Sequence, residues 1–276
     1  MIVERNAPTV GTIGRARLVA RNEAVRKTRR VAWWMYPVLL AAGIGGGLVG
    51  AAAGVASLVS YPALLALGLP PVTANVTNSI ALVGGSAGAV AGSRAELEGQ
   101  APRLRWLAVA AVAGGLAGSA LLLLAPAGSF ERVVPWLIAL ASAAVLLPRQ
   151  PARHERRDGW ALIGGVALIG VYGGYFGAAA GIMMLALLLA LTSDSFARGN
   201  AMKNLLLGAA NAVAALAYAA FGPVDWLAVV PLGVGCFIGG RIGPAIVRRA
   251  PQKVVRVIVA LMGLGLAANL AWQAYR

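Results

Sequence analysis

The chain is short of charge: only 12% of its 276 residues are Asp, Glu, Lys or Arg, against about 25% in a soluble domain. Too few groups remain to cover a water-facing surface, which excludes an ordinary soluble globule. Cysteine and histidine are nearly absent, with Cys236 and His154 the single examples of each. A disulfide framework, an iron–sulfur site and a His- or Cys-rich metal cluster therefore lack ligands. Neither a metal nor another cofactor is expected, and the chain does not read as an enzyme. Acidic residues number nine, and no relay of embedded carboxylates that would support proton antiport is visible.

What is present is apolar. Hydrophobic residues make up 59% of the chain, the mean hydropathy is +0.78, and there are 36 glycines. The stretches 106–124 and 254–274 carry no charge apart from Arg256, matching the roughly 20 apolar residues that a helix needs to cross a hydrocarbon core about 30 Å thick. The composition predicts an all-α polytopic membrane protein. Apolar runs fall at about 33–55, 57–69, 72–93, 106–124, 133–148, 160–180, 182–192, 199–220, 226–240 and 254–274, and each of the seven tryptophans lies near an end of one of them. Amphipathic rings prefer the headgroup level. The runs 57–69 and 182–192 are too short to cross comfortably, and each lies between a glycine-rich and a polar stretch. That is the pattern of a broken or re-entrant segment lining a protected cavity. About eight transmembrane helices plus two such segments are expected.

The net charge of +15 is concentrated. Residues 1–30 hold eight basic groups against Glu4 and Glu23, and 241–256 adds Arg241, Arg248, Arg249, Lys253 and Arg256. Such clustering fits cytoplasmic segments of a membrane protein, and no aromatic or RNA-motif spacing accompanies it, so nucleic acid is not an expected partner. Residues 1–32 read as a basic cytoplasmic tail lying on anionic lipid. If that tail is inside and the two short runs do not cross, the loops 94–105 and 148–159 are inside with it. The basic loop 241–253 then falls outside, against the charge rule; letting both short runs cross does not repair this, whereas letting only the second cross does, at the cost of unequal halves.

The sequence repeats itself. Residues 46–54 read GGLVGAAAG and 173–181 read GGYFGAAAG. In the same order Asn78 matches Asn204, Trp106–Val109 matches Trp226–Val229, and Arg132–Val134 matches Lys253–Val255. Two transmembrane repeats, 33–147 and 160–276, joined by a charged linker at 148–159, are expected. Duplicated bundles with interrupted helices are a common build for secondary transporters, with substrate near the midplane.

The run GIGGGLVGAAAGVASLVSYPALLALGLPPVTANVTNS at 43–79, then GGYFGAAAG, Arg198-Gly-Asn-Ala-Met-Lys-Asn204 and Gly222-Pro-Val-Asp225-Trp226, resembles the TauE/SafE sulfite exporter family over about 35–274. The resemblance implies a carrier in the bacterial inner membrane for small sulfur-containing anions, sulfite or organosulfonates, usually exporting them. It does not reach the arginine-rich tail.

Chemistry is expected where polar residues open the spans after the short runs. These are Thr73, Asn75, Thr77, Asn78 and Ser79 in the first half, and Asn200, Lys203 and Asn204 in the second. Polar groups inside apolar spans are costly unless they face protein or water, although Thr73 and Asn75 also suit helix capping. Asn78 and Asn204, at equivalent repeat positions, are expected to meet across the pseudo-symmetry axis and donate to substrate oxygens. Lys203 stands where the first half has Thr77, and its ammonium suits an anion; the alternatives are snorkelling to the interface or pairing with Asp194. Asp194 and Arg198 are expected to form an interfacial pair. Gly46, Gly50 and Gly54, like Gly173, Gly177 and Gly181, recur every four residues, which predicts one helix face for close packing or for amides offered to an anion.

Gly84-Gly85-Ser86-Ala87-Gly88 satisfies the hydrolase pattern G-x-S-x-G. No histidine or acid lies in the span to serve it, and helix packing by Gly84, Gly88 and Gly92 is the expected role. Alternating-access transport of a small anion is thus the leading expectation, with an anion channel or a scaffold acting through the basic tail as alternatives.

Overall fold

The computed structural model describes residues 33–126, 128–146, 159–247 and 252–275. The tail at 1–32, nearly all of the charged linker, His154, Arg248 and Arg249 lie outside them. The chain divides into two units, Met1–Met35 and Tyr36–Arg276, and the helical bundle is the second of them.

The described residues form helices and no strand. In chain order these are α1 (Met35–Ala53), α2 (Ser57–Ala66), α3 (Pro71–Gly92), α4 (Arg94–Leu97), α5 (Ala101–Leu124), α6 (Ser129–Leu146), α7 (Gly159–Tyr175), α8 (Ala180–Leu191), α9 (Phe196–Phe221), α10 (Trp226–Val247) and α11 (Gln252–Tyr275). Four of them, α1, α5, α9 and α10 as far as Ala245, are long and apolar enough to cross a membrane, and α2, α7 and α8 are shorter apolar helices. All seven tryptophans are exposed, as a belt at the lipid headgroups requires. The protein is an all-helical, multi-pass membrane protein.

Without water between helices in lipid, association rests on van der Waals contact, and small residues allow backbones to approach. Here α1 lies against α10, where a Cβ on Gly43 would sit 3.0 Å from Cys236 N and one on Gly47 would sit 2.8 Å from Gly240 N. Similarly α7 lies against α5, where a Cβ on Gly118 would sit 2.8 Å from Tyr175 N and one on Gly170 2.9 Å from Ala111 O. The run Gly84, Gly88 and Gly92 of α3 packs along Gly233, Phe237 and Arg241 of α10, so the G-x-S-x-G pattern is a packing stripe.

The same contacts fix direction. Along α1 and α10, Gly43 meets Gly235, Gly47 meets Gly240 and Gly243 meets Ala51, so the two helices run parallel. Along α3 and α10, Gly84 meets Gly233 and Gly92 meets Arg241, again parallel. Since α1 and α3 point the same way, α2 and its flanks must carry the chain back along the bundle. This corrects the arrangement in which the short run does not cross and the loop 94–105 shares a side with the start of α1: the two lie at opposite ends. Helix α9 runs against α3, since Gly208 meets Ser86 while Gly222 meets Val76.

Candidate functional site

Two helices stop inside the bundle. α1 ends at Ala53 and the backbone turns at Gly54, whose φ of +78° suits a residue without Cβ. α7 ends at Tyr175 and turns through Gly177 at φ +75° and Ala179 at φ +57°, the one positive-φ residue other than glycine among those described. A left-handed alanine costs about 1 kcal/mol or more and persists only where packing holds it; Ala178 and Ala179 are buried. The two breaks touch, and a Cβ on Gly54 would lie 2.6 Å from Gly181 Cα.

A helix end leaves its last carbonyls without partners, and in lipid no water replaces them. At α1 the Lys203 Nζ donates to Gly50 O at 3.1 Å and Ala51 O at 3.4 Å, while Asn200 Nδ2 donates to Ala51 O at 3.0 Å. The ammonium therefore meets the negative end of the α1 dipole, equivalent to roughly half a charge. At α7 the Asn75 Nδ2 donates to Tyr175 O at 2.9 Å, and the Tyr218 hydroxyl donates to Gly174 O.

Between the two breaks lies a cavity of about 70 Å³, several times the ~10–15 Å³ that one water occupies on the same measure. Its polar lining is Ser57, Ser79, Ser86, Lys203, Asn204 and Asn211, and the rest is glycine, alanine, Leu82, Leu207 and Phe176. Lys203 is 1% exposed. The Asn204 Nδ2 is buried and has no hydrogen-bond partner. A buried donor left unmade costs about 1–3 kcal/mol, so a ligand oxygen offered to it is favoured.

Of the residues singled out by sequence, Ser79, Lys203 and Asn204 line this cavity together with Gly50, Gly54, Gly173, Gly177 and Gly181. Asn78 stands behind it, donating from Nδ2 to Ser57 Oγ at 3.3 Å. Thr77 is turned to a different task, accepting from Asp225 N at 3.1 Å, and Asp225 in turn caps α10 by accepting from Ala228 N at 3.1 Å. Asn75 and Asn200 fasten the broken helix ends. Gly46 packs under α2, 3.4 Å from Ala56 O as a Cβ would measure it. The expected continuous glycine face is corrected: Gly54 and Gly177 lie past the helix ends, and a Cβ on Gly173 would find ordinary contact, 3.8 Å from Leu207. Asp194 pairs with Arg103 at 2.7 Å, with Arg198 only 3.9 Å away, so a third residue joins the expected pair.

Sequence reasoning did not offer Ser57, Ser86 or Asn211 as lining. Asn211 falls one helical face from Asn204, seven residues on, and that spacing was the available signal. No group of three or more acidic, cysteine or histidine side chains suited to a metal exists among the described residues.

Comparison with known proteins places this architecture. The chain is 28% identical over 235 residues to the "Probable membrane transporter protein YfcA" of Escherichia coli strain K12, covering 83% of this chain and 87% of that protein. It is 25% identical over 248 residues to the "Probable membrane transporter protein ORF9" of a Sinorhizobium species, covering 87% and 94%, and 23% identical over 242 residues to a "Probable membrane transporter protein" of Haemophilus influenzae, covering 85% and 94%. No solved structure matches the chain. The family model for the sulfite exporter TauE/SafE matches residues 17–270, and the chain belongs to that family.

Proposed function

We propose that the protein is a secondary transporter of the bacterial inner membrane that exports small sulfur-containing anions, sulfite or organosulfonates, by alternating access around the cavity between the two helix breaks. The observation that carries the reading is Lys203: a buried ammonium on the cavity wall, beside the unpartnered amide of Asn204 and the hydroxyls of Ser57 and Ser79. A cation beside the Asn204 and Ser57 donors suits an anion of a few heavy atoms. An inside-negative potential favours exit of such an anion by about 2.3 kcal/mol per charge per 100 mV.

The proposal includes duplication with inverted halves. In support, α1 packs on α10 as α7 packs on α5, each through glycines, and the matched residues Gly54 and Gly181 touch each other. Asn75 from the first half fastens the end of α7, and Asn200 from the second fastens the end of α1. Two halves that lock each other's broken helices can rock about the site between them.

The test is binding. Purified protein is melted with sulfite, sulfate, thiosulfate and short sulfonates, and an anion that binds raises the melting temperature. At an effective dielectric of about 20, a charge pair at 4 Å is worth ~4 kcal/mol, so Lys203→Gln is expected to weaken that anion at least tenfold and to stop its flux in proteoliposomes. Unchanged affinity and flux in the folded variant refute the assignment.

A further inference from the structure

A buried glycine in this bundle is explained when another atom stands where its side chain would be. Among the described residues that account covers every buried glycine but one. Each of the others would bring a Cβ to 3.4 Å or nearer to a neighbouring atom, whereas a Cβ on Gly173 would meet only Leu207 Cδ2 at 3.8 Å and Ala180 Cβ at 4.0 Å. Gly173 is buried within α7 and does not take a positive φ. Glycine weakens a helix relative to alanine, so neither packing nor backbone conformation asks for it at this position. The matching motif residue Gly46 differs, since its Cβ would lie 3.4 Å from both Ala56 O and Ser60 Cβ.

The room left by the missing side chain belongs to the cavity, because Gly173, Leu207 and Ala180 all line it, together with Phe176 and Leu82. The two atoms that border this room are carbon. Leu207 follows Lys203 and Asn204 on α9 by about one turn, a rise of about 4.5–6 Å. The buried ammonium and the unpartnered Asn204 amide thus stand at one end of a space whose next turn is apolar. Ser86 and Asn211 line the cavity as well, and Asn211 is a further turn along α9 from Leu207.

We infer that Gly173 is a specificity-determining residue, and that the room it leaves receives a short, uncharged carbon tail carried by the anion. This deepens the transport reading above and rests on it for the anionic end of the ligand alone. A sulfonate held at Lys203 and Asn204 reaches Leu207 and Gly173 with two or three carbons, at about 1.5 Å per bond. Sulfate and sulfite have no carbon to place there. A second charge, carried on the tail, would lose its hydration against Leu207 and Ala180, which offer it no hydrogen bond. The cavity therefore favours a plain alkanesulfonate over an inorganic oxyanion and over a sulfonate with a charged tail.

A homologous series reads the tail directly. The purified full-length protein is titrated with methanesulfonate, ethanesulfonate and propane-1-sulfonate, and binding is followed through the melting temperature. In wild type the affinity is expected to rise about fourfold with each added carbon. The compound 2-aminoethanesulfonate matches propane-1-sulfonate in length but ends in an ammonium group, and it is expected to bind about tenfold more weakly or worse. Gly173→Ala puts a methyl group where the tail ends. Without ligand this variant is expected to melt no lower than wild type, as its open contacts and the gain in helix propensity imply. It is expected to weaken propane-1-sulfonate about tenfold or more and to leave methanesulfonate nearly unchanged. Adding Leu207→Ala removes the side chain that faces the new methyl, and is expected to recover much of the lost affinity for propane-1-sulfonate.

Equal weakening of all three sulfonates in Gly173→Ala makes the residue a structural one and overturns the proposal. So does tighter binding of 2-aminoethanesulfonate than of propane-1-sulfonate by wild type, or a double variant that recovers nothing. If no sulfonate binds wild type while propan-1-ol or propylammonium does, and binds Gly173→Ala more weakly, the anion reading fails and the tail room stands. Gly173→Ala indistinguishable from wild type toward every one of these compounds overturns the tail room itself.

Discussion

Replacing Gly47 with alanine tests whether backbone proximity between α1 and α10 holds the site together. The new Cβ would sit on the Cys236 carbonyl, 2.8 Å from Gly240 N and 2.9 Å from Cys236 Cα. Every near atom is backbone, so no side chain can turn away, and the helices must part by about 0.5–1 Å, which forfeits a quarter to a half of each affected van der Waals contact. Overpacking of this kind costs about 1–3 kcal/mol, and the backbone setting puts this site at the upper end. Alanine regains about 1 kcal/mol through helix propensity, leaving a net loss of about 2 kcal/mol. At about 2–4 °C per kcal/mol that is a fall in melting temperature of roughly 4–8 °C. The control is Gly164→Ala in α7, where a Cβ meets nothing within 4 Å and only the propensity gain remains. Thermal melts of both variants, followed by fluorescence-detected size exclusion in one detergent, give the comparison. If Gly47→Ala melts at or above Gly164→Ala, the helices are not held by glycine contact and the reasoning fails.

Labelling and a hydroxyl deletion test the placement of other residues. On a Cys236→Ala background, cysteines at Glu98 and Ser193 are expected to be labelled from one side of sealed vesicles, and cysteines at Pro70 and Phe221 from the other; labelling of 98 and 70 from the same side refutes the return of α2 along the bundle. Thr77→Val is expected to lower stability by about 1 kcal/mol through loss of its hydrogen bond with the Asp225 amide, with affinity for sulfate and sulfonates unchanged. An affinity loss matching that of Lys203→Gln would instead put Thr77 at the ligand.

Much of the site was legible because polar side chains are conspicuous in apolar spans. Lys203, Asn204 and Ser79 stand out on that ground and line the cavity. The same rule does not separate a residue that meets a ligand from one that fastens backbone, since both satisfy a buried polar atom; hence Asn75, Asn200 and Thr77 read identically in sequence and differ in space. Ser86 was hidden inside a glycine stripe, and Ser57 opens a short run. Packing partners were equally illegible. Helices that are apolar all round give no period to orient them, so which glycines touch, and that α1 runs parallel to α3, required coordinates. The duplicated motif also misled locally: GGLVGAAAG stays helical to Ala53, whereas GGYFGAAAG leaves the helix after Tyr175, five residues earlier in the motif.

The fastening of α1 by Asn200 and Lys203 has a bearing on how the protein is made. The carbonyl of Gly50 is met locally by Gly54 N at 2.9 Å, but that of Ala51 leaves the ribosome about 150 residues before the Asn200 and Lys203 side chains that satisfy it, and lipid offers no donor meanwhile. During that interval the end of α1 must stay with the insertion machinery, keep bound water, or run on as helix through Gly54. The fastening of the break that shapes the cavity is therefore complete only when α9 enters the bilayer.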